Sequence, residues 1–398
     1  MTLAGRRVVL GVSGGIASYK ACTIARRLSE AGTAVDVVLT SAAAEFVRPV
    51  TFEALTGRPV QASLWERGRA LTHIHLARDP DLIVVAPATA NLLARAAQGL
   101  ADDLLTALLL ASTRPVLVAP AMNDEMFAHA ATQSHLDVLR ERGWEIVGPA
   151  VGPLAEGTSD RPGRMVEPEI VVQHVARALT APSSALRGKH VVVTAGATRE
   201  YLDDVRVITN PSSGRMGVAL ASAAWIRGAR VTLVLGPTAL PAPHGPEVRR
   251  VTTTADLAAT VTALLDSTDV LLMAAAPADY RARERWAGKR PRGDGTVTVT
   301  LEPTTDVLAA ATKGRKAGSV VVGFALETGE GARDRARAKL ERKGADLIVL
   351  NRADQSDAGF EVETNRVTLV GPRDATDVPA GTKAEVSEAV LDAVESLL

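Results

Sequence analysis

Short aliphatic runs alternate with amphipathic stretches along almost the whole chain. In the first half, the runs at 7–12, 34–39, 82–86, 116–119 and 145–147 read as strands, and 16–31, 91–98, 103–111 and 124–142 as helices. Gly32 and Gly143 fall where helices end. The second half restarts the pattern, with strands expected at 190–194, 230–235, 248–251, 270–274, 320–323 and 347–350. Helices fit 215–227, 255–266, 306–312 and 331–343. Residues 296–301 alternate Thr with Val or Leu and predict an exposed antiparallel strand. Residues 363–370 read as a last hairpin arm and 383–397 as a closing amphipathic helix.

Strand and helix taking turns in this way implies open parallel sheets with ligands at the carboxyl ends of the strands. The fold class is α/β, with two doubly wound Rossmann-like domains at 1–180 and 190–398. The run Ala181-Pro-Ser-Ser-Ala-Leu-Arg-Gly188 lies within a linker at 181–189. The Gly- and Pro-rich run at 148–168 is long for a connection, and loops of that length are often lids or clamps. The two halves share no fixed-period repeat.

Composition narrows the chemistry. At 398 residues the chain can bury two or three cores. Apolar residues make up 46% and aromatics 3%, which suits aliphatic parallel sheets. Lys plus Arg (45) equals Asp plus Glu (45), so no net field attracts nucleic acid or anionic lipid. The single cysteine, Cys22, excludes a disulfide framework and fits a reducing compartment. No stretch approaches the roughly 20 apolar residues of a membrane span. A soluble cytoplasmic protein with small-molecule ligands is expected.

Two glycine-rich entries follow strands. The first is Gly11-Val-Ser-Gly-Gly-Ile-Ala17 and the second is Thr194-Ala-Gly-Ala-Thr-Arg-Glu200 with Asn210-Pro-Ser-Ser-Gly-Arg-Met-Gly217. Helix-start N–H groups beside hydroxyls and glycine make a site for phosphate, so the chain carries two candidate sites for phosphorylated ligands. In the first half, Ser13, Thr40, Ser41 and Thr89 offer hydroxyls along one sheet edge, suited to a phosphate and a flat polar ring. Helix capping is the alternative for Thr40-Ser41 and for Asn123. His73 and His75 would share one face of a strand, or part company on a loop. With Asp79 they lack the spacing or thiolate of a metal site. In the second half, Ala274-Ala-Ala-Pro-Ala-Asp-Tyr280 lets backbone approach a ligand, and Asp279 could hold a sugar hydroxyl or a Mg²⁺ shell. The basic run 281–292 reads as a solvated loop or as a mobile one that brings Lys289 onto a triphosphate. Lys339 and Lys343, four apart, share a helix face.

These runs, in this order, resemble the bifunctional coenzyme A biosynthesis family, which joins phosphopantothenoylcysteine decarboxylase to phosphopantothenate–cysteine ligase. The likeness rests on the first glycine entry extended to Lys20, on Thr72-His-Ile-His-Leu-Ala77, Pro87-Ala-Thr-Ala-Asn91, Pro120-Ala-Met-Asn123 and Pro162-Gly-Arg-Met165. In the second half it rests on the entry through Gly217, on Ala278-Asp-Tyr280, Lys289 and Val322-Gly-Phe-Ala-Leu-Glu-Thr328. The resemblance implies an N-terminal flavoprotein-type decarboxylase domain and a C-terminal CTP-binding ligase domain. FMN would lie between subunits of an N-terminal trimer, held by Ser13, Gly14, Thr40, Ser41, Thr89 and Ala90. His73 would be the catalytic histidine, Asn123 would grip the substrate carboxylate, and Gly163, Arg164 and Met165 would end the substrate clamp. CTP would meet Ser212, Ser213, Gly214, Ala274, Ala275, Ala276, Asp279, Lys289, Thr305, Asp306, Val307, Leu308, Phe324, Lys339 and Lys343. Mg²⁺ would be held mainly by the CTP phosphates, with no protein ligands assigned. Lys289 would neutralise the α-phosphate as pyrophosphate leaves, and Asn210 would assist amide formation. The implied substrates are 4′-phosphopantothenate, L-cysteine and CTP. The implied assembly is a homo-oligomer with N-terminal trimers and C-terminal dimers, up to a dodecamer.

The chain departs from the family pattern at the clamp. The family carries a cysteine there that protonates the enethiolate intermediate. Here the run is Leu154-Ala-Glu-Gly-Thr-Ser-Asp-Arg-Pro-Gly-Arg-Met165, one residue longer, with Glu156 in that place. Milder departures are Tyr201-Leu-Asp-Asp-Val-Arg206 and Thr305-Asp-Val-Leu308. Two other functions stay open on sequence: a ligase fused to a flavin-binding domain without decarboxylase activity, and a non-enzymatic flavin- and nucleotide-binding regulatory subunit.

Overall fold

The computed structural model describes residues 3–65, 71–155, 157–352 and 364–398. The chain divides into two compact units, Met1–Leu179 and Thr180–Leu398. Each is a doubly wound α/β domain, so the fold class is the one the alternation implies.

In the first unit, five parallel strands lie in the order Ala34–Leu39, Arg7–Val12, Leu82–Ala88, Val116–Pro120, Glu145–Ile146. Leu82–Ala88 is buried at every position, because helices cover both faces of the sheet. Chain connectivity reverses between the first and third strands. That reversal opens a crevice at their carboxyl ends, where ligands of such sheets bind. A hairpin, Ala150–Leu154 with Gly157–Arg164, follows the sheet, so the glycine-rich run expected as a clamp is an antiparallel arm.

Local chemistry explains where sequence and structure part in this unit. The helix expected over 124–142 is two, Asp124–Ala128 and Ala130–Glu141. His129 between them is extended, and its ring nitrogen accepts from the Ala131 N–H to cap the second helix. His73 and His75 lie on neither strand nor loop but on a short helix, Thr72–Arg78. Two positions apart on a helix, they point to different sides.

The second unit holds an eight-stranded sheet. Its order is Glu247–Arg250, Arg230–Leu235, His190–Ala195, Val270–Met273, Val320–Glu327, Leu347–Arg352, Thr364–Val370, Ala375–Thr382. The first six run parallel in the 3-2-1-4-5-6 sequence of a dinucleotide-type sheet, and the last two are antiparallel. The switch point lies between His190–Ala195 and Val270–Met273. The segment read as a linker, 181–189, packs onto this unit instead, with Leu186 fully buried in its core. The antiparallel strand expected at 296–301 forms only at Leu301–Pro303, paired with Tyr280–Ala282. Glu363, the expected start of the last hairpin arm, lies outside the described residues, and the arm itself begins at Thr364.

Candidate active sites

The first site is a cavity of about 640 Å³ at the switch point of the N-terminal sheet. Ser13, Gly14, Thr40, Ser41, Thr89 and Ala90 all line it, with Asn123, Gly163, Arg164 and Met165. Three strand ends supply the hydroxyls, and backbone bonds orient them. Ser13 Oγ accepts from the Thr89 N–H at 3.0 Å and donates to the Pro87 carbonyl at 2.8 Å, which ties the ends of the first and third strands together. Thr40 accepts from the Ala43 N–H and Thr89 from the Leu92 N–H, so both cap the helices that start there. Gly14 is wedged against Ala42: a Cβ on it would sit 2.4 Å from the alanine's own.

The clamp arm crosses this cavity at Gly163. The Met122 N–H donates to the Gly163 carbonyl at 3.0 Å, and a Cβ on Gly163 would meet the Met122 carbonyl at 2.8 Å and the Asp124 backbone at 2.9 Å. Asn123 Oδ1 accepts from the N–H groups of Glu125 and Met126, so the residue caps its helix while it lines the site. Glu156 lies outside the described residues. Cys22 is half-buried on the helix Ser18–Glu30, and burial pushes its thiol up, away from the reactive thiolate. Two side chains that sequence reading missed also line the cavity. Lys20 is buried and donates to the Met165 carbonyl at 2.9 Å, which anchors the end of the clamp. Arg95 pairs with Asp103 at 2.9 Å.

His73 is not in this cavity. It lines a shallow apolar surface hollow with Leu64, Trp65, Ile74 and Leu110, among others. Trp65 and Leu110 there are 88% and 59% exposed.

The second site is a cavity of about 650 Å³ at the other switch point. It gathers Asn210, Ser212, Ser213, Gly214, the three alanines 274–276, Asp279, Thr305, Asp306, Val307, Leu308, Phe324, Lys339 and Lys343. Internal bonds fix the backbone of this alanine wall: the Ala275 N–H donates to Thr194 Oγ1 and the Ala276 N–H to the Gly196 carbonyl. Val307 and Leu308 turn into the core, so their side of the site is the helix start that Asp306 caps. Lys343 forms an ion pair with Asp306. Lys339 donates to the Phe324 carbonyl at 2.8 Å, and burial pushes its ammonium below the usual lysine range. Asn210 Nδ2 donates to the carbonyls of Ala276 and Pro277, which fixes its amide against the alanine wall.

Lys289 stands outside this cavity, exposed on its loop. The backbone on either side is held away: the Asp204 N–H reaches the Gly288 carbonyl at 3.4 Å, and the Arg290 N–H reaches buried Asp203 at 3.2 Å. Among the described residues no three His, Cys, Asp or Glu side chains gather as a metal site. No helix among them is long and apolar enough to cross a membrane.

Comparison with known proteins agrees with both halves of this geometry. Residues 1–180 match the Flavoprotein family, and 186–398 match the DNA/pantothenate metabolism flavoprotein C-terminal domain. The chain is 42% identical to the Coenzyme A biosynthesis bifunctional protein CoaBC of Vibrio vulnificus, covering 100% of this chain and 99% of that protein. The protein of that name from Mycobacterium bovis is 44% identical over 99% of this chain and 97% of its own length. The chain belongs to the bifunctional coenzyme A biosynthesis family. The family member from Bacillus subtilis shows 41% identity over 99% of this chain and 98% of its own length. A solved C-terminal domain of such a protein covers 54% of this chain and 98% of its own, at 34% identity and a TM-score of 0.46. Family membership makes the chain a bifunctional enzyme of coenzyme A biosynthesis with decarboxylase and ligase functions.

Proposed function

We propose that the two cavities act in series on 4′-phosphopantothenate: the C-terminal one joins it to L-cysteine with CTP, and the N-terminal one decarboxylates the product to 4′-phosphopantetheine. The observation that carries this reading is two separate cavities, each at the switch point of its own sheet and each lined by its own motif set. Such a chain acts in the cytoplasm.

In the ligase cavity, a carboxylate oxygen of phosphopantothenate attacks the α-phosphorus of CTP, and pyrophosphate leaves. Mg²⁺ comes in mainly on the phosphates. Lys289 swings inward to neutralise the α-phosphate as that bond breaks. The cysteine amine then attacks the acyl carbon, CMP leaves with the acyl C–O electrons, and the amine gives up a proton. Asn210 supports the oxyanion of this second step, for which its amide must give up the Ala276 carbonyl, the longer of its two bonds. Asp279, Thr305, Phe324, Lys339 and Lys343 hold the nucleotide.

The N-terminal cavity suits FMN. Its crevice, hydroxyl-bearing strand ends and tight glycine turn fit a phosphate with a flat ring, held by Ser13, Gly14, Thr40, Ser41, Thr89 and Ala90. Bound FMN would supply reversible two-electron oxidation of the cysteine thiol to a thioaldehyde, the electron sink that an unmodified thiol lacks. Asn123 grips the carboxylate to be lost as CO₂, and Gly163, Arg164 and Met165 close the clamp that excludes water. His73 reaches this cavity from a neighbouring copy, which accounts for its position beside exposed Trp65 and Leu110. The resemblance to the family supports an N-terminal trimer joined through C-terminal dimers as the assembly. Glu156, where the family has its cysteine, or a clamp water delivers the last proton.

The test is purified protein with phosphopantothenate, cysteine and CTP, with products identified by mass. Pyrophosphate, CO₂ and phosphopantetheine are expected. Phosphopantothenoylcysteine as end product would leave the ligase as the one activity, and an enethiol product would mean that protonation fails at the clamp.

A further inference from the structure

The alanine wall of the ligase cavity is held from behind by threonines outside the residues expected to meet CTP. The N–H groups of Ala275, Ala276 and Ala278 donate in turn to Thr194 Oγ1, the Gly196 carbonyl and Thr198 Oγ1, at 3.1, 2.9 and 2.9 Å. Pro277 has no N–H to place. The wall thus extends the parallel pairing past the strand ends, with Ala197 bridged to Ala276. Threonine hydroxyls stand there where backbone carbonyls would otherwise accept.

The bonds converge on Ala278. Its carbonyl accepts from Thr304 Oγ1 at 2.6 Å and from Thr254 Oγ1 at 3.4 Å. The Thr198 and Thr254 hydroxyls lie 2.9 Å apart. Because the Thr254 hydroxyl donates to the carbonyl, Thr198 is the donor between the two. A ring closes: the Ala278 N–H donates to Thr198, Thr198 to Thr254, and Thr254 to the Ala278 carbonyl. Ala278 and both threonines are buried, where an unmade bond is costly and a satisfied network is rigid. Buried Glu200 accepts from the Thr254 N–H at 2.7 Å and holds that residue in turn. The Thr304 N–H donates to the carbonyl of Asp279, which lines the cavity.

Thr198 also reaches the Asn210 side. Its N–H donates at 3.4 Å to the Ala276 carbonyl, the oxygen that also receives Asn210 Nδ2. Its own carbonyl accepts from Thr209 Oγ1 at 2.7 Å, one residue before Asn210. When Asn210 turns from the Ala276 carbonyl toward an oxyanion, that carbonyl keeps the Thr198 N–H. Thr198 itself does not line the cavity, so whatever it does there passes through this backbone.

We propose that Thr198 is a positioning residue of the ligase, an inference that rests on the ligase reading above. With Thr254 and Thr304 it sets the backbone of residues 276–279, and so the seat of CTP and the bracing of Asn210.

The experiment uses full-length protein as wild type, Thr198→Val, Thr198→Ser and Thr304→Val. Valine keeps the shape of threonine and leaves the Ala278 N–H unpaired. KM for CTP, from pyrophosphate release well below the thermal midpoint, rises roughly 10- to 100-fold in Thr198→Val. Thr198→Ser keeps the hydroxyl and recovers most of the loss. A hydroxyl that only stabilised the fold would lower the folded fraction, and with it kcat, while KM for CTP stayed as in wild type. Amide hydrogen exchange of the peptide 274–280, followed by mass spectrometry without substrates, reads the clasp directly. Exchange there is faster in Thr198→Val and close to wild type in Thr198→Ser. Should Thr198→Val fail to fold, Thr304→Val carries both measurements, since Thr304 is half-buried at the cavity and bonds the same residue. Wild type that releases no pyrophosphate refutes the ligase reading, and exchange alone then decides whether the clasp exists. KM for CTP unchanged in the folded valine variant, or exchange as slow as in wild type, overturns the proposal.

Discussion

Asn210 Nδ2 donates to the Pro277 carbonyl at 3.0 Å, across the mouth of the C-terminal switch point. The amide therefore holds the loop after the first strand against the alanine wall of the fourth, and its position is set before any ligand arrives. Asn210→Asp replaces that donor with a carboxylate facing two carbonyls, and it adds negative charge where the proposed reaction places an oxyanion. Pyrophosphate release should persist while amide formation stalls, so acyl-cytidylate accumulates and is visible by mass spectrometry. Normal turnover with no intermediate would reduce Asn210 to a brace between loops.

Lys289→Gln tests the loop that stands outside the cavity. If the loop closes over CTP, losing its positioned cation slows pyrophosphate release by roughly 10²–10³, about 3–4 kcal/mol. The absorption of bound flavin stays as in wild type, because the substitution lies in the other unit. Release within tenfold of wild type would leave Lys289 a solvated residue.

Much of this was legible in the residues. Aliphatic runs such as Leu82–Ala88 announce a strand buried on both faces, and small residues such as Ala274 to Ala276 announce a cavity wall. What stayed hidden has physical causes. Lys383 and Asn365 come from the far end of the chain, and only the antiparallel extension of the sheet carries them to the cavity. Lys20 looks like an ordinary surface lysine of an amphipathic helix until the clamp folds over it. The alternation of His73 and His75 imitates strand periodicity, while the segment is helical. Lys289 shows the converse: its motif was legible, but its distance from the cavity depends on contacts with Asp203 and Asp204 that no local pattern encodes.

Gly163→Ala probes the clamp. An added methyl meets the backbone of Met122 and Asp124 at 2.8–2.9 Å, where nothing flexible can yield. The arm must lift, so CO₂ release from phosphopantothenoylcysteine falls by at least about tenfold, as expected when positioning is lost. Pyrophosphate release in the ligase step is unaffected. Unchanged CO₂ release would show that the arm does not position the substrate.

His190 gives the C-terminal unit a dependence on pH. Its Nδ1 donates to the Ser267 carbonyl at 3.0 Å, and Nε2 accepts from the Thr232 hydroxyl at 3.0 Å. Burial lowers its pKa from the ordinary 6.5. As pH falls through 6.5 the unfolded chain takes up the proton first, so stability is lost until the folded-state pKa is passed. Thermal midpoints of the full chain should therefore fall more from pH 7 to 5.5 in wild type than in His190→Gln. Equal falls would mean that His190 does not carry this proton linkage.

The proposed reaction assigns roles to both His73 and Asn123, yet within a chain only Asn123 lines the N-terminal cavity. If a neighbour's His73 completes that cavity, each active site needs one intact residue from each of two subunits. His73→Asn and Asn123→Asp would then be inactive alone as decarboxylases while retaining ligase activity. Co-expressed in equal amounts they form mixed oligomers, and random assembly in a heterologous ring restores both residues at about a quarter of the interfaces. CO₂ release should recover to about that fraction of wild type in the unfractionated co-expressed protein, and to about a third in trimers that carry affinity tags of both kinds. Mixing the purified homo-oligomers without exchange should restore nothing, which controls for trace contamination. Failure of the co-expressed oligomer to release CO₂, with both single variants inactive and folded, would place His73 and Asn123 in the same chain's site. The clamp unit would then have to rearrange to bring them together.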